Sequence, residues 1–165
     1  MRDAANQQAP LRLNLGCGER TPRGWLNVDY SVGARLGRIP GLSRIGRALG
    51  LFRLSWSPAI FIHDLRRAFP WGDDSADVVY SSHTLEHLSP AEGRRFMSEC
   101  HRVLRPGGVI RIVVPDLRAC VEHYLAGKLS SFEFLEALAT DPAHPGDGRF
   151  KRLLAPHVRF PHRCM

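Results

Sequence analysis

Leu11-Arg-Leu-Asn-Leu15, running into Gly16-Cys17-Gly18, decides the fold. Apolar and polar residues alternate up to Leu15, the period of a strand, and the run breaks in a tight Gly-x-Gly turn. Working outward, Trp25-Leu-Asn-Val28 is a second short apolar run closed by Asp29, and Ile60-Phe-Ile62 is a third closed by His63-Asp64. Asp77-Val-Val-Tyr80 is a fourth, after the turn-like Gly72-Asp73-Asp74-Ser75. Ser89-Pro90 then introduces a helix over 91–104 with Phe96, Cys100, Val103 and Leu104 on its buried stripe, and Pro106-Gly107-Gly108 stops it. Val109-Ile-Arg-Ile-Val-Val114 is the fifth strand and the strongest β signal in the chain. Two more helices are expected over 117–126 and 131–139, and an irregular tail from 141. Strands alternating with helices call for an α/β, Rossmann-like, doubly wound and mostly parallel sheet covered on both faces.

The chain has 165 residues, 44% of them apolar, which suits a single domain over 1–165. No apolar run approaches a membrane span, and the start lacks the basic and apolar regions of a secretory signal, so a cytoplasmic protein is expected. The cysteines Cys17, Cys100, Cys120 and Cys164 are scattered, without a C-x-x-C pair, and suggest neither a zinc site nor a disulfide framework. The formal net charge is +7, but it is unevenly placed. Residues 30–63 hold five arginines and no acid, and 148–165 hold five cations and no acid; the remainder carries 13 basic against 16 acidic residues, a net −3. Basicity therefore sits in an insert, 31–59, and a tail, 148–165. Within the insert Leu42, Ile45, Leu49 and Phe52 share one helical face, so a short amphipathic helix is expected there.

In a doubly wound sheet, a ligand lies at the carboxyl ends of the strands near the switch in strand order. Gly16 and Gly18 let the backbone approach that ligand, and Asp29, at the end of the second strand, is suited to hold both ribose hydroxyls. The third glycine of the dinucleotide fingerprint is missing: positions 19–21 are Glu, Arg and Thr, and Glu19 would meet a pyrophosphate with like charge. These residues favour an adenosine-containing ligand without phosphates.

Leu13-Asn-Leu-Gly-Cys-Gly18, Asn27-Val-Asp29, His63-Asp64-Leu65, Phe69-Pro-Trp71, Asp77-Val-Val-Tyr-Ser-Ser-His-Thr-Leu-Glu-His-Leu88 and Leu104-Arg-Pro-Gly-Gly-Val-Ile-Arg-Ile112 follow one another in order. Together they resemble the successive motifs of class I S-adenosylmethionine-dependent methyltransferases, and most of all the small bacterial branch of the type 11 group. The resemblance covers about residues 11–118. It implies S-adenosylmethionine as cofactor and S-adenosylhomocysteine as product. The turn Asn14, Leu15, Gly16, Cys17, Gly18 would pass under the methionine end, with Asn14 standing where most of the family has an acid. Asp29 would take the ribose hydroxyls, Tyr30 or Leu65 would pack on the adenine, and Asp64 would accept from its amino group. Ser81, Ser82 and His83 would lie near the sulfonium and the acceptor.

Methyl transfer is an in-line displacement, so alignment is the main task, and a base is needed only where the acceptor must lose a proton. His83 either serves as that base or only packs and hydrogen-bonds beside the cofactor. His83 and His87 are spaced i, i+4 around Glu86, but not as H-E-x-x-H, so no metal site is expected; Glu86 and His87 are expected to anchor the segment leading to Ser89. His123, Tyr124, His157 and His162 are open between an acceptor pocket and the surface. Ser-Ser-His after strand four, in place of an Asn/Asp-Pro-Pro-aromatic signature, implies by family likeness an O- or C-methyltransferase on a small-molecule or saccharide-like acceptor.

The competing reading is a catalytically inactive Rossmann-like module that contacts RNA or an anionic membrane through the basic segments. Few aromatics accompany the arginines, which argues against nucleic acid. A third reading combines the two: the basic insert covers the site and selects an anionic acceptor. The C-terminal strand pair of the seven-stranded methyltransferase fold is not found after Val114, with Val158-Arg-Phe160 the one short candidate. Either the chain is truncated or strand five is an exposed edge, and a homodimer through that edge is expected.

Overall fold

The computed structural model describes residues 9–39, 41 and 56–138. The helix expected around 42–52, residue 139 of the last expected helix, and the tail with its short strand candidate 158–160, His157, His162 and Cys164 lie outside the described residues.

Among the described residues five strands form one parallel sheet in the order β3-β2-β1-β4-β5: β1 Arg12–Leu15, β2 Leu26–Asp29, β3 Phe61–Ile62, β4 Ala76–Ser82 and β5 Leu104–Val113. Leu13 pairs with Leu26 of β2 and Val79 of β4, and Leu15 with Val28 and Ser81. Strand order reverses between β1 and β4, and this places the mouth of a ligand crevice at the carboxyl end of β1. The chain passes from β1 to β2 without a helix, as the few residues between Gly18 and Trp25 require.

Among the described residues four α-helices accompany the sheet: α1 Val32–Gly37, α2 Pro90–Val103, α3 Leu117–Leu125 and α4 Ser131–Ala137. Helix α2 starts on a full capping box: Ser89 Oγ accepts from Glu92 N, and the Glu92 carboxylate accepts from Ser89 N at 2.8 Å. Its Phe96, Cys100 and Val103 are fully buried against Leu13, Leu15, Val28 and Val79, which form the main core. The helix ends at Val103, ahead of the Pro-Gly-Gly expected to stop it. Leu104 is already extended (φ −79°, ψ 123°) and pairs with Ala76, so β5 takes the chain up directly, with a register shift between Ala76 and Val78.

Helix α1 was not expected from the sequence. Two of its six residues are glycines, which hides its helical character, while Ser31 caps it by accepting from Ala34 N at 3.3 Å. Glu99 and Arg102 of α2 tie the loop before β4 to the helix. Glu99 accepts from Phe69 N at 2.6 Å, and Arg102 donates to Phe69 O, Trp71 O and Asp73. The far side is less covered: β5 is an edge among the described residues, and α3 buries none of its residues.

Candidate functional site

The turn after β1 is held from within. Val28 O accepts from both Gly16 N and Cys17 N, at 2.9 and 3.0 Å, and Gly18 N donates to Asp29 Oδ2 at 2.9 Å. All three amides are thus committed inside the protein, and none is left to cradle a phosphate. Gly16 sits at φ +72°, and a Cβ there would overlap the Thr84 side chain, so this position is closed to other residues by conformation and by space.

Asp29 ends β2, 8% exposed, with Oδ2 on Gly18 N and Oδ1 on Ser31 N at 2.7 Å. Each oxygen keeps a lone pair for a further donor. Asp64, just past β3, is gripped by Arg66: Oδ1 accepts from Arg66 N and Nε, and Oδ2 from Nη2 at 2.7 Å. This guanidinium, helped by Arg67, holds the Asp64 carboxyl below the usual range against the opposing effect of burial.

A cleft of about 410 Å³ opens over these groups. Of the residues expected at a site, it brings together Gly16, Gly18, Asp29, Tyr30, Asp64, Leu65 and His83. Asn14, Leu15, Cys17, Ser81 and Ser82 are not part of its lining. Asn14 Nδ2 donates to Asn27 Oδ1 at 2.8 Å and to Arg20 O, fastening the loop between β1 and β2. Leu15 is core, and Ser81 Oγ donates to Leu15 O at 2.9 Å, strapping β4 to β1. The Cys17 side chain packs with Ala34 and Ile60, and burial, with the Asp29 charge adding to it, pushes its thiol up to about 12. Ser82 is half-buried at the end of β4.

Ser31, Trp56, Arg66, Thr84, His87 and Leu88 also line the cleft and were not singled out as binding residues in the sequence. Ser31 carried one signal, an N-cap residue directly after Asp29-Tyr30. Thr84 is recognisable only once its packing on Gly16 is seen.

After β4 the chain turns sharply. His83 has φ +53°, a left-handed conformation uncommon outside glycine and enriched at functional sites. Its side chain is 63% exposed and lines the cleft, and Nδ1 lies 3.2 Å from Oε1 of Glu86, which is buried in the short 3₁₀ turn Leu85–His87. Glu86 therefore holds His83, while Ser89 and Glu92 cap α2. His123 and Tyr124 lie exposed on α3, outside the cleft.

The donor set tests what the cleft can hold. Two carboxylates with free lone pairs, and a turn without spare amides, suit hydroxyl and amino donors and disfavour phosphate. The adenosyl group of S-adenosylmethionine fits that set.

Comparison with known proteins gives the same direction. A family model described as a methyltransferase domain, of type 11, matches residues 13–112. A probable S-adenosylmethionine-dependent methyltransferase of Mycolicibacterium smegmatis is 47% identical over 104 residues, 63% of this chain and 37% of that protein. An uncharacterized methyltransferase of Synechocystis sp. is 32% identical over 75 residues, 46% of this chain and 35% of its own length. The matches thus span little more than a third of either relative. Among solved structures, a chain of the complex between the Haloferax volcanii Trm112 methyltransferase activator and a methyltransferase is similar at 21% identity and a TM-score of 0.42. That match covers 79% of this chain and 59% of the other. Since the family model takes in more than half of the residues, the chain belongs to the type 11 methyltransferase domain family, among the class I S-adenosylmethionine-dependent methyltransferases.

Proposed function

We propose that the cleft binds S-adenosylmethionine and that the protein methylates oxygen or carbon of a small-molecule or saccharide-like acceptor. The observation that carries this reading is Asp29, a carboxylate fixed by two backbone amides across a Gly-x-Gly turn at the switch in strand order. Its remaining lone pairs accept the two ribose hydroxyls. Tyr30 or Leu65 packs on one side of the base, and Asp64 accepts from the adenine amino group through the lone pair of Oδ2 that Arg66 leaves free. Asn14, Leu15, Cys17, Ser81 and Ser82 act behind this surface, by holding the turn and strand ends that carry it. When bound, the cofactor supplies an electrophilic methyl group.

His83 is the proton acceptor for an acceptor hydroxyl or acidic carbon. With Nδ1–H donated to Glu86 Oε1, the lone pair of Nε2 is left to take a proton from an acceptor in the cleft. The family likeness supports oxygen or carbon as the methylated atom through Ser-Ser-His at 81–83.

Isothermal titration with S-adenosylhomocysteine tests the reading. Saturable binding by wild type, weakened at least about tenfold in Asp29→Ala, is the expected result. A folded wild-type sample that binds nothing overturns it.

A further inference from the structure

Trp56 differs from the other residues of the cleft: it comes from the basic segment 31–59 and lies between the motifs that carry the family likeness. Helix α1 builds its seat. A Cβ on Gly33 would overlap the indole at Nε1 and Cε2, and a Cβ on Gly37 would come within 2.8 Å of the Trp56 Cβ. Four residues apart, the two glycines lie on one face of α1 and leave a bare strip of backbone under Trp56, Gly33 beneath the ring and Gly37 beneath its Cβ. Glycine is a poor helix former, so this six-residue helix is locally weakened by the same two residues that admit the indole. Behind the ring lies the small apolar cluster of Cys17, Ala34 and Ile60.

The rest of Trp56 lines the cleft. Its side of the cleft is set by its neighbours. Helix α1 follows β2 directly, and Ile60 and Ile62 lead into and form β3, so the indole stands beside the ends of β2 and β3, where Tyr30 and Asp64 also lie. His83 and Thr84 approach from beyond β4. The Tyr30 ring carries the Arg35 guanidinium 5.2 Å from its centroid, so a second aromatic group on this side is already braced by α1.

We propose that Trp56 is a ligand-contacting residue that packs on the adenine base, so that the end of the basic segment forms part of the cofactor site. The inference rests on the reading of the cleft as an S-adenosylmethionine site. An indole face against a purine gains dispersion and excludes water, and its removal is expected to cost affinity about tenfold.

Two measurements on the full chain test it. With S-adenosylhomocysteine at saturation, wild type should show an intermolecular NOE from adenine H2 or H8 to the indole resonances that disappear in Trp56→Phe. By calorimetry, Trp56→Ala should weaken S-adenosylhomocysteine and free adenosine by the same factor, about tenfold. Trp56→Phe should restore binding to within about threefold, and Gly33→Ala, which pushes the indole off α1, should behave as Trp56→Ala does. Saturated wild type without the NOE, or Trp56→Ala binding as tightly as wild type, overturns the assignment and leaves the cofactor reading standing. Folded wild type that binds neither ligand overturns both.

Discussion

Asp29 does two things with one carboxylate: it satisfies the amides of Gly18 and Ser31, and it presents acceptors to the cleft. Replacing it with alanine therefore removes the proposed ligand contacts and leaves two part-buried amides unpaired. Since charged hydrogen bonds contribute ~1.5–3 kcal/mol each, Asp29→Ala should lower affinity for S-adenosylhomocysteine by at least about tenfold, measured by calorimetry. The thiols give a separate check on the same turn. Burial, reinforced by Asp29 at Cys17 and by Glu99 at Cys100, raises both thiols to about 12, so neither forms appreciable thiolate near neutrality. Iodoacetamide at pH 8 should leave Cys17 and Cys100 unmodified in the native protein and label both in urea, as read by peptide mass mapping. Asp29 was legible in the sequence because it closes an apolar run shortly after Gly-x-Gly. Thr84 and Trp56 were not, since each belongs to the cleft only through packing against a glycine distant in the chain.

Among the elements, α2 depends on its two ends. Ser89→Ala removes the cap on Glu92 N and should cost about 1 kcal/mol, a fall in melting temperature of about 2–4 °C for a chain of this size. Near the other end, the bond from Arg102 to Glu99 holds that carboxyl down to about 2 from an ordinary 4.5, with the Phe69 amide helping and burial opposing. A folded-state value below the unfolded one means stability that is complete above pH 4.5 and disappears as pH falls from 4.5 toward 2. Glu99→Gln should destabilise the protein by about 2 kcal/mol at pH 7 in urea unfolding, and the gap from wild type should close near pH 2. The strands and α2 were readable because each pairs a clear periodicity with a clear boundary signal. Helix α1 was not, because Gly33 and Gly37 serve the packing of Trp56 at the expense of local propensity, and β5 began early because Leu104 answers to Ala76 across the sheet.

Across the whole molecule, burial is asymmetric. The half around β1 and β4 is sealed by α2, whereas β5 has β4 on one side and no strand on the other among the described residues. Val109 is 59% and Ile110 37% exposed, and α3 and α4 add Leu125, Phe132 and Leu135 to the apolar surface beyond them. Edge strands avoid unwanted pairing by being short or by carrying charges or proline; here only Arg111 interrupts the apolar run from Val109 to Val113. A strand edge is complementary to a copy of itself turned antiparallel about a two-fold axis, because the same unpaired N–H and C=O groups meet in both directions. Among the described residues β5 has no second neighbour, and the short candidate that the sequence offers after Val114, 158–160, lies outside them; the exposure of α3 was not legible in the sequence, because a helix over 117–126 carries no signal of what packs against it. Pairing of β5 with a second copy should appear in sedimentation velocity as a weight-average coefficient that rises with concentration across the micromolar range. Val109→Lys places a charge on that edge and should return the protein to a concentration-independent monomer, with its affinity for S-adenosylhomocysteine unchanged because β5 contributes nothing to the cleft. Wild type that sediments as a monomer at all concentrations, with the amides of 109–113 slow to exchange in deuterium, would show that the edge is covered within a single copy.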